Sequence, residues 1–157
     1  MRQLVYSTVV VGLSLALGST GRATLAQQQQ QEGADPAKPL LTLTADAAII
    51  TILIKPDKTA DFELVLAKLK EALRNSPKPE RKAQAASWKV FKSTQMVQGN
   101  AVYIMRIDPV VKGEEYDITR LIAEVFPVEV QDIFPKYRDA FAGRAISELV
   151  PFMAMSE

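Results

Sequence analysis

Eight consecutive residues, Ala47–Ile54 (AAIITILI), decide the fold predicted for this chain of 157 residues. Apart from Thr51 the run is apolar, it is rich in β-branched side chains, and Lys55-Pro56 follows it directly. A run of this length suits a strand better than a helix, and a strand without polar alternation is buried on both faces. The sequence therefore predicts a central strand with an apolar surface on each side of the sheet.

An amphipathic segment follows this strand. Its apolar residues recur at helical spacing, with charged residues between them: Phe62, Val65, Leu66, Leu69, Ala72 and Leu73. Thr59 is a candidate N-cap, and Asn75-Ser76-Pro77 ends the segment. The pattern predicts a helix that packs on the sheet. Residues 77–85 are charged and are expected to form a connector with at most one helical turn.

Two further strands are predicted to form a hairpin. The first, Trp88–Met96, begins with a cluster of large apolar side chains, and the second is Ala101–Ile107 (AVYIMRI). Gln98-Gly99-Asn100 supplies the turn between them, because glycine adopts positive φ without strain. Asp108-Pro109 ends the second strand of the hairpin, since proline cannot donate to a β-ladder.

A second helical segment is predicted after Asp117, a candidate N-cap. Its apolar stripe extends to Gly143, where we expect the helix to end, and Pro127 and Pro135 are expected to interrupt or kink it. The apolar tail Leu149–Met155 contains a proline and is predicted to form a short edge strand.

The predicted order is strand, helix, strand, strand, helix, strand. Two β-α-β halves of this kind are typical of the ferredoxin-like fold, an α+β architecture with a four-stranded antiparallel sheet and two helices on one face. The element order and the hairpin that carries Trp88 resemble the dimeric α+β barrel superfamily, which includes antibiotic-biosynthesis monooxygenase-like domains, over Ala47–Met155. The resemblance implies a homodimer in which the helix-free faces of two sheets close around a shared cavity.

The residues also favour a covered second sheet face. Both faces of Ala47–Ile54 and of Ala101–Ile107 are apolar, whereas one helical layer covers only one face. The other face would expose an apolar patch larger than monomers usually carry. We therefore expect a homodimer or a small apolar ligand there, and the function predicted is non-enzymatic ligand binding or protein interaction.

The first 26 residues predict a cleaved export signal. Arg2 precedes the apolar run Leu4–Leu17, and small residues lead to a cleavage site near Ala26. The run is shorter than the roughly 20 residues that a spanning helix needs, so no membrane span is expected in the mature chain, which would be secreted or periplasmic. Residues 27–43 are predicted to be a disordered polar spacer and residues 44–157 a single domain.

Composition excludes several classes of function. The chain contains no histidine and no cysteine, which removes disulfides, Ser-His and Cys-His nucleophile pairs, the usual zinc sites and the usual axial haem ligands. No phosphate-binding loop or calcium-loop spacing is present, so no cofactor and no metal are expected. Removal of Arg2 and Arg22 with the signal leaves 17 basic residues against 18 acidic ones, and no nucleic-acid partner is predicted.

Five residues are candidates for contact with a ligand: Trp88, Tyr103, Met105, Asn100 and Asp108. The indole of Trp88 offers a stacking surface, although sheet core explains it as well, and Tyr103 and Met105 could line a cavity or a dimer interface. The alternative is a cofactor-independent monooxygenase or isomerase that uses Trp88, Tyr103, Asn100 or Asp108. Cofactor-free members of the superfamily often combine Asn, Trp and His, and this chain has no His, so the resemblance transfers no catalytic residue.

Charge is distributed unevenly along the chain. Arg74 to Lys92 contains six basic residues and only Glu80 against them: Arg74, Lys78, Arg81, Lys82, Lys89 and Lys92. Asp108 to Asp132 contains seven acidic residues and only two basic ones. The pattern predicts two solvated charged faces, or a basic surface for an anionic partner such as an envelope polymer or lipid.

Overall fold

The structure is a computed structural model that describes residues 38–153. The predicted export signal, residues 27–37 of the predicted spacer, and Ala154 and Met155 of the predicted edge strand lie outside the described residues. Within them, four strands form one antiparallel sheet accompanied by four α-helices, so the protein belongs to the α+β class.

Two predicted helical segments each form two helices. The strands are β1 (Ala47–Ile54), β2 (Trp88–Lys92), β3 (Ala101–Ile107) and β4 (Phe141–Leu149). The helices are α1 (Thr59–Asn75), α2 (Pro79–Ser87), α3 (Ile118–Val125) and α4 (Val130–Ala140), with a 3₁₀ turn at Pro56–Lys58. The chain order is thus β-α-α-β-β-α-α-β and the sheet order β2-β3-β1-β4, which does not match the predicted βαββαβ order with two helices.

The central strand β1 has the predicted bounds and pairs with β3 on one side and β4 on the other. Ile50 lies opposite Met105 of β3 and Ile146 of β4. Alternate residues of β1 face the helices and are buried: Ala48, Ile50, Ile52 and Ile54. The residues between them are only half-buried, so the two apolar faces of this strand have different surroundings.

The helical layer packs on the sheet face that contains Ile50 and Met105. Five of the six apolar positions predicted for α1 are buried and Leu66 is only partly buried. The Phe62 ring lies edge-on to Tyr103 with 4.8 Å between ring centroids. Thr59 does not cap this helix, because it is the first helical residue and the N-cap is Lys58. Asp117 caps α3 as predicted, and its carboxylate accepts hydrogen bonds from the backbone N–H groups of Thr119 and Arg120, each at 3.0 Å.

The segment predicted as a connector contains α2. Pro79 occupies the first turn of this helix, where its missing N–H has no intrahelical partner to lose. The buried side chains of α2 are polar: Arg81, Gln84 and Ser87. Hydrophobic periodicity therefore gave no signal for this helix.

The last strand begins earlier than predicted. α4 ends at Ala140 and β4 starts at Phe141, so the expected helix end at Gly143 and the expected edge strand at Leu149–Met155 are both wrong. No loop separates the two elements, and the Lys55 N–H donates to the Ala140 carbonyl at 3.0 Å, which ties the end of α4 to the end of β1. Pro127 separates α3 from α4 as predicted, whereas Pro135 lies inside α4.

Candidate functional site

A groove of about 420 Å³ lies between α1 and β2. Apolar side chains from three elements line most of it: Leu66, Leu69 and Leu73 of α1, Ala85 of α2, and Trp88 and Val90 of β2. Ala67, Lys70 and Arg74 complete the lining. The volume falls within the roughly 300–1,000 Å³ of small-molecule pockets, and we call this site the α1–β2 groove.

The groove exists because the helical layer leaves part of the edge strand exposed. Trp88 and Val90 pair with Ile107 and Met105 of β3, so their side chains lie on the sheet face that the helices cover. β2 has a neighbour on one side only, and Val90 is 42% exposed although its partner Met105 is fully buried. Apolar surface of α1 and β2 therefore borders an open space at this edge.

Trp88 lies between the groove and the core. Its ring centroid is 5.5 Å from that of Tyr116, and Trp88 also lines a narrow cavity of about 10 Å³ with core residues such as Ile50 and Met105. The indole Nε1 is buried and has no hydrogen-bond partner among residues 38–153. An unpaired buried donor of this kind costs about 1–3 kcal/mol.

Two cations stand at one side of the groove. Lys70 and Arg74 are four residues apart on α1 and are both exposed. Neither has a carboxylate partner within the described part of the chain. They also line an adjoining polar depression of about 280 Å³, which includes Glu71 and Asn75.

Tyr103 and Met105 are buried beneath the helices and do not line the helix-free sheet face. The Tyr103 hydroxyl donates a hydrogen bond to the Glu63 carboxylate at 2.7 Å. Burial and this carboxylate raise the pKa of Tyr103 above its ordinary value. Both side chains pack in the core with Phe62 and Ile50, and neither borders the α1–β2 groove.

Asn100 and Asp108 lie at the two ends of β3. Asn100 belongs to the β2–β3 turn, where its side-chain amide donates to the Gln98 carbonyl at 3.1 Å. Asp108 is exposed and forms an ion pair with Arg106. Of the five residues predicted as ligand contacts, the structure places only Trp88 in the groove and does not bring the other four to it.

For several groove residues, the sequence predicted only a place in the core and no contact with a ligand. Leu66, Leu69 and Leu73 belong to the apolar stripe of α1, whose spacing does not separate side chains that face the sheet from those at its edge. The width of this apolar stripe is the feature of the sequence that could have indicated a groove. Leu66 lies beside Val65 and extends the apolar surface around the helix.

The basic and acidic stretches contact each other. Arg81 is 4% exposed, and its guanidinium binds Glu114 and Glu124, each at 2.9 Å, while Lys78 binds Glu124 at 3.1 Å. Burial opposes the charge of Arg81, but the two carboxylates outweigh it and raise the pKa of the guanidinium. Lys92 binds Glu63 at 2.7 Å. The basic and acidic stretches are therefore not separate at Arg81, whereas the side chains of Lys78 and Lys92 remain half-exposed.

Neither a metal site nor a membrane helix is found in residues 38–153. No group of three or more acidic side chains is positioned to hold a metal ion there, and no helix in that range is long and apolar enough to cross a bilayer. Comparisons of the chain with protein-family models, curated proteins and solved structures find no match. The interpretation of the groove therefore depends on its own residues.

Proposed function

We propose that this protein is a non-enzymatic binding domain that holds a small apolar molecule in the α1–β2 groove. The observation that carries the proposal is the lining itself, in which leucine side chains and the only tryptophan of the chain border an open space of about 420 Å³. A ligand there removes apolar surface from water on both sides, which is worth roughly 0.8 kcal/mol for each CH₂ group buried.

The position of Trp88 allows a direct test. As the only tryptophan, it reports on the groove by its fluorescence. A terminally brominated undecanol, whose bromine quenches indole emission on contact, is titrated into the purified protein. We expect quenching that saturates and that weakens in Leu66→Gln, because this substitution places an amide in the groove.

Leu64→Gln is the matched control, because Leu64 is on α1, is 48% exposed and does not line the groove. It should leave the titration unchanged. Quenching that rises linearly without saturation, or that responds equally to both substitutions, would contradict binding in the groove.

We also propose that two copies of the protein pair through their sheets. Four apolar residues on the face opposite the helices support this pairing: Ile49, Leu53, Phe91 and Ile104. Phe91 is 51% exposed and the other three are half-buried. The two β-α-β halves, elaborated by α2 and α4, also support a ferredoxin-like relationship with the dimeric α+β barrel superfamily.

Light scattering coupled to size exclusion tests the pairing. We expect the mass of a dimer for the unmodified protein and of a monomer for Phe91→Asp, because a charge on the apolar face opposes its burial. Phe134→Asp is the control, since Phe134 is 47% exposed on α4. A monomeric unmodified protein at micromolar concentration would remove this proposal.

The predicted export signal supports a periplasmic or extracellular location for the protein. Intact mass measurement of the protein recovered from the exporting host should give a chain that begins at Gln27. The alternative of a cofactor-independent oxygenase or isomerase has less support, because Trp88 alone of the four side chains considered for it lines the groove.

A further inference from the structure

We infer that the α1–β2 groove takes a single-chain amphiphile with an anionic head group, of the long-chain carboxylate class. The apolar tail lies along Leu66, Leu73 and Trp88, and the carboxylate lies at Lys70 and Arg74. This inference rests on the proposed function and names the class of ligand for the same groove.

Lys70 and Arg74 carry charge that nothing in the described part of the chain compensates. Like charges four residues apart on a helix repel each other, and no carboxylate of the described residues offsets this pair. Lys68, on the same helix, binds both Glu71 at 2.9 Å and Glu129 at 2.6 Å. The two cations at the groove thus differ from their neighbour in having no anionic partner there.

Polar and apolar surfaces meet at the two cations. The groove and the adjoining polar depression share Ala67, Lys70 and Arg74, so the two cations lie on the boundary between them. A molecule that is apolar at one end and anionic at the other matches both surfaces at once. Glu71 also lines the depression, but its carboxylate is bound to Lys68 at 2.9 Å.

The charges around the groove favour a single amphiphile over a membrane surface. Electrostatic binding to an anionic bilayer needs several cations free to face it together. Lys78, Arg81 and Lys92 of the basic stretch are each engaged with a carboxylate of the same chain, whereas Lys82 and Lys89 are exposed but do not line the groove. A concave site with two free cations is better matched by one carboxylate head than by a lipid surface.

The experiment compares two probes of equal tail length, ω-bromododecanoate and ω-bromododecanol, by quenching of Trp88 at low ionic strength. We expect the carboxylate to bind about tenfold more tightly than the alcohol, since two exposed ion pairs act together. The preference should shrink as salt is added, because exposed charges are screened.

Lys70→Gln/Arg74→Gln should abolish the preference for the carboxylate while leaving the affinity for the alcohol within about twofold, since glutamine keeps a polar side chain but removes the charge. Lys82→Gln/Lys89→Gln removes the same net charge from residues outside the groove lining and should keep the preference. Far-UV circular dichroism confirms that each variant is folded.

Three other outcomes would overturn the inference, the proposed function or both. Equal affinity for the two probes overturns the inference and leaves the proposed function intact. Absence of saturable quenching by either probe overturns the proposed function and the inference with it. Quenching by vesicles of brominated anionic phospholipid, without quenching by the free carboxylate, overturns the inference in favour of a lipid surface.

Discussion

The indole of Trp88 makes two opposing contributions to the stability of the fold. Its ring contacts the core beside Tyr116 and contributes apolar area to the groove, which stabilises the fold. Its N–H is buried without an acceptor among the described residues, which costs about 1–3 kcal/mol. A smaller aromatic ring without a donor would avoid that cost, so core packing alone does not explain an indole at this position.

Trp88→Phe is therefore expected to change the free energy of unfolding by less than about 1.5 kcal/mol, because lost area and the removed donor oppose each other. Trp88→Ala should cost about 3 kcal/mol or more, since it leaves a cavity as well. Urea unfolding followed by far-UV circular dichroism measures both. A loss in Trp88→Phe as large as that in Trp88→Ala would contradict this expectation.

Glu115 organises the chain before α3. Its carboxylate accepts hydrogen bonds from the backbone N–H groups of Leu40 at 2.7 Å, Leu41 at 3.0 Å and Asp117 at 2.8 Å. One residue thus links the segment before β1 to the N-cap of α3. Because Glu115 is buried, water cannot readily replace a lost acceptor.

Glu115→Gln should destabilise the protein by about 1–3 kcal/mol, because an amide supplies one acceptor oxygen and turns an N–H₂ group toward backbone donors. Chemical denaturation of the variant measures this loss. Glu129→Gln removes a carboxylate that is half-exposed beside Lys68 and should change stability by less than about 0.5 kcal/mol. A loss in Glu129→Gln as large as in Glu115→Gln would contradict the assignment.

At the level of elements, α2 is held by polar contacts. Gln84 is fully buried, donates to the Glu115 carbonyl at 2.8 Å and accepts from Arg81 at 2.9 Å. Arg81 continues this network to Glu124 of α3. Polar residues on both helices thus replace the apolar contacts that would normally join them, and Ala85 brings α2 to the groove.

Arg81→Met should destabilise the protein by about 3 kcal/mol, because two partly buried carboxylates lose their guanidinium partner. Lys92→Gln is the comparison: it breaks an ion pair with Glu63 in which both side chains are half-exposed, and a change of at most about 0.5 kcal/mol is expected. Chemical denaturation of the two variants measures both changes in stability. Similar losses would mean that burial of Arg81 does not strengthen its network.

For the whole molecule, three carboxyl groups with lowered pKa values make the stability depend on pH. Hydrogen bonds from Lys92 and Tyr103 lower the pKa of Glu63, and those from Thr44 lower the pKa of Glu148. Burial acts to raise the pKa of Glu124, but hydrogen bonds from Arg81 and Lys78 outweigh it and lower that pKa. A carboxyl group whose pKa is lower in the folded protein stabilises the fold at pH values above the pKa that it has in the unfolded chain. This contribution is lost as the pH falls toward the pKa of the folded state.

The free energy of unfolding should therefore be nearly constant from about pH 5.5 to pH 8, because the chain has no histidine to titrate there. It should fall below about pH 5 as carboxyl groups that are stabilised in the fold become protonated. Burial raises the pKa of Tyr137 to about 12, so stability should fall again above about pH 10. Urea midpoints across pH test this, and a steep change near neutrality would contradict it.

Local sequence was sufficient to predict β1, β3, α1 and the Asp117 cap, because each has a signal in consecutive residues. An uninterrupted β-branched apolar run specifies a buried strand, and a helical period of apolar residues specifies a packed helix. The assignment of Trp88 to a sheet hairpin came from the same kind of signal.

Tertiary contacts decided β4, α2 and the groove. The sequence of β4, FAGRAISEL, has a weak strand signal, and pairing with β1 over most of its length makes it a strand. The buried face of α2 becomes stable only when Arg81 meets carboxylates that are distant in sequence. Whether Leu66 and Trp88 enclose a groove depends on the distance between α1 and β2, which no periodicity encodes, because a period specifies a face and not its neighbour.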